Sequence, residues 1–384
     1  MTSTIPKLPQ DMPVTSPRYV GKEVKRIEDP GLVTGRTEFI DNLKLPGMAH
    51  AAILRTPHPH ARIIRVDASA AEQLPGVVAV LTGEDIKRWC NVGATSPEGW
   101  GSTPMAVEKV RFVGEPVAAV AAISRYVAED ALELIEVEYE LLEAVTNPEE
   151  AQAPNAPKLF EHNASNVILD RNYTWGDVDR VFAEADHVYT EKFRWNRVGA
   201  NPMETSGCVC QWDVVNNSLT CYGSYQTPGF RALGRAASLN LPSNRVKVVA
   251  HPHGGSFGGK GGPRGTDIAA LLSRKADGKP VKYIEDRVEY LLAGAGQSWD
   301  RYYQASLAVK ADGTLVGLKV NLVDDQGAGA EGYGTISAAK PLAAFTGCYT
   351  IEAAQYDLKL VATNRAPTYP YRGYGPPPHN FVLE

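Results

Sequence analysis

His251-Pro252-His253-Gly254-Gly255-Ser256-Phe257-Gly258-Gly259-Lys260-Gly261-Gly262 holds six glycines in twelve residues. The apolar run before it, Val246 to Ala250, reads as a strand. The run after it, Thr266 to Leu272, reads as a helix with Thr266 as candidate N-cap. Strand, glycine loop, helix is a layout that lets backbone N–H groups approach a ligand with no side chains in the way. An anionic cofactor, with phosphate as the natural anionic group, suits such a loop. Phe257 in the middle of the run argues against a solvated surface loop. Two familiar readings fail on spacing. Gly254 to Lys260 has P-loop spacing, but Gly261 stands where Ser or Thr must hold magnesium. A dinucleotide fingerprint needs a different glycine spacing directly after the first strand of its unit.

Working outward, the chain has 384 residues, enough for two or three domains. Its net charge of −5, with no long basic run, excludes nucleic acid as a natural partner. No apolar stretch approaches the length of a membrane span. Residues 1–19 are rich in Pro, Ser and Thr, lack the apolar core of a signal peptide, and read as a mobile tail. The five cysteines, Cys90, Cys208, Cys210, Cys221 and Cys348, are odd in number and scattered. They make no disulfide framework. Cys208 and Cys210, two apart on a strand, read as core thiols before they read as a metal pair. These features fit the cytoplasm.

Residues 20–146 alternate short strands and helices as an α+β unit. Its apolar run at 117–123 (VAAVAAI) reads as a buried strand, and Val127, Ala128, Ala131, Leu132 and Ile135 as one helix face. Residues 147–158, rich in Pro, Ala and Asn, make a linker. Residues 159–384 form a second unit with hairpin signals at Asn216-Asn217 and Asp312-Gly313. Asn380 to Glu384 reads as the first turn of a helix that is not continued, so the expectation is a fragment or a core completed by another chain.

Two further stretches suggest chemistry. Gln226 lies in Tyr225-Gln226-Thr227-Pro228 at a strand-to-helix junction. Arg372 lies in Tyr371-Arg372-Gly373-Tyr374-Gly375, where an arginine between an aromatic and a glycine suits a planar contact with an oxyanion or oxo group. Each alone is weak, and Glu204 reads as a cap or turn residue. His58, His60, His251 and His253 flank prolines without accompanying carboxylates or thiols, so they read as turn residues and not zinc ligands.

Taken in order, the stretches resemble the molybdopterin-binding subunit of the xanthine oxidase family of molybdenum hydroxylases. The resemblance includes Gly35 to Asp41 with Leu45 to Met48, His60 to Ile63, Leu74 to Val77, Gly114 to Ala118 and Val137 to Glu140. Tyr225 to Pro228, the glycine loop and Glu285-Asp286-Arg287 complete it. It implies an α/β hammerhead domain over residues 20–146. The first molybdopterin-binding domain, of mixed sheets and helices, would follow over 159–384 and be completed by a partner chain. Gln226 resembles the glutamine that hydrogen-bonds an oxo ligand on molybdenum. Gly254, Gly255, Ser256, Phe257, Gly258 and Gly259 resemble the cofactor loop, and Arg372 the arginine beside the substrate pocket. Gln226 and Phe257 would lie near molybdenum, with no direct protein ligand to the metal.

The resemblance further implies hydroxylation of an aldehyde or N-heterocyclic carbon with oxygen from water. The cofactor would be molybdenum–molybdopterin, with a cytosine dinucleotide form allowed. Electrons would pass to [2Fe–2S] and FAD on partner subunits in a dimer of heteromers. The catalytic Glu, the general base, belongs to a second half expected on another chain. Two departures narrow it. Gly373 stands where carbon monoxide dehydrogenases carry a copper-binding Cys, and Gly261 where xanthine-specific members carry a Glu. A non-catalytic molybdopterin-cofactor-binding or insertion protein using the same loops is the alternative.

Overall fold

The computed structural model describes residues 21–92, 96–261, 264–293, 297–330 and 332–384. The tail at 1–19 and Gly262 of the glycine loop lie outside them. The chain divides into two units, residues 1–38 and 39–384. The described part of the first carries one short helix, α1 (Asp29–Val33).

The second unit begins with β1 (Ala49–Arg55), β2 (Ala61–Asp67), α2 (Ser69–Gln73), β3 (Val77–Thr82) and α3 (Gly83–Trp89). Next come β4 (Lys109–Val110), β5 (Pro116–Ala122), α4 (Arg125–Leu132) and β6 (Glu136–Leu141). β7 (Val167–Trp175), α5 (Val178–Ala183), β8 (His187–Trp195), β9 (Val198–Gly199), β10 (Gly207–Asp213) and β11 (Ser218–Gly223) follow. Then come α6 (Pro228–Ser238), β12 (Val246–Ala250), α7 (Arg264–Lys275), β13 (Val281–Ile284), α8 (Arg287–Leu292) and β14 (Gln297–Ser298). β15 (Arg301–Val309), β16 (Leu315–Gly327), α9 (Gly332–Ala339), β17 (Ala353–Ala362) and α10 (Pro376–Leu383) complete it. The α+β class holds.

A seven-stranded sheet in the order β12-β11-β10-β13-β1-β5-β3 organises the unit. It draws three strands from before residue 146 and four from after 158, so the sheet runs across the linker position. β5 explains why a strand can be apolar at every residue. Ala119 and Ala121 enter the core that contains Ile268 to Leu272 of α7. Ala118, Val120 and Ala122 enter the opposite core with Ala128 and Ala131 of α4. Alternation with period two thus feeds two cores, one on each face. Ser124 caps α4 by accepting from Val127 N at 3.3 Å.

β10 and β11 form the hairpin expected at Asn216-Asn217, with Asn217 at φ +47°. Cys208 and Cys210 share a face and are buried. Cys210 lies 3.4 Å from its cross-strand neighbour Cys221 as a free thiol. Burial pushes the Cys210 thiol well above its usual pKa, which suppresses the reactive thiolate.

A five-stranded sheet, β7-β17-β16-β15-β8, joins two strands from the middle of the chain to three from its last third. β15 and β16 pair around Asp312-Gly313 as the turn signal requires.

Two local expectations are corrected. Thr266 is not the N-cap of α7, which begins at Arg264. Its buried hydroxyl instead meets the Tyr225 hydroxyl at 3.2 Å. Asn380 to Glu384 is not an opening turn. α10 starts at Pro376, because prolines fit a helix's first turn where no N–H is needed, and Asn380 onward is its later part.

Candidate functional site

β12 delivers the chain to the glycine loop, and His251 N donates to Gly223 O at 2.9 Å to fix the exit. From there three loops converge. Gln226, Thr227, Phe257, Gly258, Gly261, Arg231 and residues 370–374 line a pocket of about 410 Å³. Gln226 and Arg372 are therefore brought together with Phe257. Gly254, Gly255, Ser256 and Gly259 lie off the lining.

The Gln226 side chain is held in one orientation. Its Oε1 accepts from Gly258 N at 3.0 Å and from Ser256 Oγ at 2.5 Å. A backbone N–H can only donate, so the amide atom facing Gly258 must be the oxygen. The Nε2 donors occupy the other end of the amide. The Ser256 hydroxyl in turn accepts from Lys260 N at 3.3 Å. Gln226 N completes the clamp by donating to Lys260 O at 3.4 Å.

The loop spends most of its own amides. Gly254 N donates to Glu204 Oε2, Gly258 N to Gln226, Gly259 N to Ser256 O, Lys260 N to Ser256 Oγ and Gly261 N to Gly258 O. Between Gly254 and Gly261, the amides of Gly255, Ser256 and Phe257 are the ones left without an acceptor among the described residues. The expectation that the whole run offers N–H groups thus contracts to three positions. The other glycines act mainly by lacking a Cβ. At Gly258, φ is +101° and a Cβ would collide with the Pro370 carbonyl oxygen. At Gly254, a Cβ would lie 2.8 Å from Glu204 Cβ.

Phe257 is not buried. The residue is 43% exposed, and the backbone there takes φ +53°. The exposed ring forms a pocket wall, and the Arg372 guanidinium lies 5.6 Å from its centroid. The Arg372 loop is propped from beneath by the fully buried Arg301. Arg301 donates to Gly375 O at 3.2 Å and to Ser337 Oγ at 3.3 Å, and pairs with Asp324 at 2.6 Å.

Reading the sequence missed the loop's brace. Lys260 Nζ and Glu204 Oε2 lie 2.5 Å apart, with the lysine side chain 1% exposed. Burial lowers the Lys260 pKa while Glu204 raises it. The signal was present: a lysine inside a run of glycines has no helix or strand face to solvate it. Arg231 was also missed. It lines the same pocket five residues after Gln226. His60 is tied by Nδ1 to Glu143 O at 2.5 Å. Among the described residues no group of three His, Cys, Asp or Glu could hold a metal ion, and no helix is long and apolar enough to cross a membrane.

These residues suit a bound oxo-metal pterin better than a protein-ligated metal. The pocket offers an amide with fixed polarity, an arginine and the unspent N–H of Phe257, with those of Gly255 and Ser256 beside the lining, all donors matched to oxygen acceptors. The chain belongs to the xanthine oxidase family of molybdenum hydroxylases, as a molybdopterin-binding chain. Residues 159–384 match the molybdopterin cofactor-binding domain, and residues 34–143 match the aldehyde oxidase and xanthine dehydrogenase a/b hammerhead domain. It is 34% identical to the nicotine 6-hydroxylase large subunit of Paenarthrobacter nicotinovorans, over 94% of this chain and 45% of that one. It is 30% identical to the nicotinate dehydrogenase large molybdopterin subunit of Eubacterium barkeri, over 94% and 83%. Quinoline 2-oxidoreductase from Pseudomonas putida 86 superposes with a TM-score of 0.84 at 34% identity, over 92% of this chain and 46% of that one. The chain thus spans about half the length of the first and third, and most of the second.

Proposed function

We propose that this chain is the cofactor-binding part of a multi-subunit oxidoreductase in the cytoplasm. Its reaction would hydroxylate a small organic molecule at carbon with oxygen from water. A partner chain would carry the general-base Glu, and [2Fe–2S] and FAD subunits would accept the electrons. The relatives named for nicotine, nicotinate and quinoline favour an N-heterocycle over an aldehyde. When bound, the molybdenum–molybdopterin group would supply the two-electron redox chemistry. The protein supplies orientation and polarity. Gln226 would turn its Nε2 donors to an acceptor on the metal, with Oε1 locked by Gly258 N and Ser256 Oγ. The amides of Gly255 to Phe257 would receive further oxygen acceptors. Arg372, stacked near Phe257, would hold a polar edge of the substrate.

The observation that carries this reading is the fixed polarity of the Gln226 amide, because a freely rotating glutamine would be pre-organised for nothing. Replacing Gln226 with Ala removes one pre-organised donor. The rate of enzyme reduction by substrate should fall by about 100-fold while molybdenum content in the purified complex stays near wild type. Unchanged reduction kinetics would remove Gln226 from the site. A complex with bound molybdopterin but neither iron, flavin nor substrate-dependent reduction would instead identify a cofactor-insertion protein.

A further inference from the structure

A second cleft, of about 520 Å³, shares no lining residue with the pocket of Gln226 and Arg372. It forms where the end of α3, the end of β10 and the last turn of α7 meet. Arg274 lies against both Trp89 and Trp212. The guanidinium carbon lies 4.7 Å from one ring centroid and 4.9 Å from the other. Two aromatic rings hold the partly buried fork in place, while its N–H edge needs acceptors. None is supplied among the described residues: Arg274 has no carboxylate partner and makes no hydrogen bond.

The surrounding charges do not compensate it. The one carboxylate that lines the cleft, Asp85, is taken by Lys275 at 2.8 Å and by Thr82 N at 3.1 Å. Arg88, 5.9 Å from the Trp89 ring, adds a second positive charge that also lacks a carboxylate. Burial and the neighbouring Arg88 both lower the Arg274 pKa, which marks a cation held without a counter-ion. Packing against tryptophans accounts for the faces of the guanidinium. It leaves unexplained two like charges side by side with an open donor edge.

We propose that this cleft binds a phosphate group, with the edge of Arg274 as bidentate donor and Arg88 as the second cation. Two uncompensated charges match a group that carries close to two negative charges at neutral pH. A carboxylate would cancel only one. The cleft is larger than a bare phosphate, so the group comes either as free phosphate or on a small phosphomonoester whose remainder lies along Asn217 and Val214.

The test is a titration of the purified full chain, followed by calorimetry and by tryptophan fluorescence. Orthophosphate and adenosine monophosphate are the two probes, with chloride at equal ionic strength as control. Saturable binding is expected for at least one probe. Tighter binding of the monophosphate makes a phosphomonoester the source; equal binding makes it free phosphate. Arg274→Lys keeps the charge and loses the fork, and Arg88→Gln changes an exposed side chain that the fold does not need. Each should weaken binding by about tenfold or more, the size of one charge-assisted contact. The proposal fails if no saturable binding occurs, or if both variants bind as wild type. It also fails if binding is lost on Arg372→Gln and kept on Arg274→Lys, which would assign the phosphate to the first pocket.

Discussion

Gly258 is where the glycine loop and the Arg372 loop touch, and it does two things at once. Its N–H orders Gln226, and its missing Cβ admits the Pro370 carbonyl. Its φ of +101° is also open mainly to glycine. Gly258→Ala should therefore cost at least about 1–2 kcal/mol from backbone conformation alone, before the collision is counted. The two loops must part to make room, so the variant should lose molybdenum and melt lower. An alanine variant that keeps both metal content and melting temperature would show that the loops are not in contact. Phe257 illustrates the limit of residue-level reading. Its size suggested burial, yet its exposure is what makes a pocket wall.

At the level of elements, the glycine loop is a braced strap. Glu204 ties both ends of it: Gly254 N at the start and Lys260 Nζ at the end. The chain on either side of Glu204 is itself held, since Arg287 donates to Pro202 O at 2.6 Å and Thr205 Oγ1 to Glu285 O at 2.5 Å. Breaking a buried pair leaves an uncompensated charge. Glu204→Gln should thus destabilise the chain by about 3–5 kcal/mol. Adding Lys260→Met should recover most of that loss, because the stranded ammonium is gone. Denaturant unfolding of both variants decides it: a double variant no more stable than the single one would mean that the pair is not buried. Local patterns made several elements legible. VKVVA is β12, Asn216-Asn217 is a turn, and the period-two run at 302–310 is most of β15. β7 was missed because its exposed charged residues, Asp170 and Arg171, hide the alternation. α9 was missed because Gly332 and Gly334 read as loop. The glycines around Lys260 signal a buried lysine, but its partner Glu204 was illegible, because 56 residues separate the two and no local pattern reports such a contact.

At the scale of the molecule, the seven-stranded sheet makes one body of segments that the sequence divides, and Arg55 fastens the join. It leaves the end of β1 and donates to Gly114 O at 3.0 Å, Tyr283 Oη at 3.0 Å and Glu289 Oε1 at 3.1 Å. Beside it Glu285 is almost fully buried. Burial pushes its carboxyl up to about 7, against the pull of Arg55, with Glu289 and Asp286 adding to the rise. The folded chain therefore holds a proton on Glu285 where the unfolded chain, at an ordinary value of 4.5, has released it. A carboxyl raised in this way favours folding fully below about pH 4.5, and that contribution fades as pH rises toward 7. The difference across that window is about 3 kcal/mol. Glu285→Gln is neutral at every pH and should lack this slope. Urea unfolding at pH 5 and pH 7.5 checks the sign: the variant should gain stability relative to wild type as pH rises. A gain by wild type over the same interval would mean that Arg55 overrides burial, and that Glu285 is ionised beside it at the join.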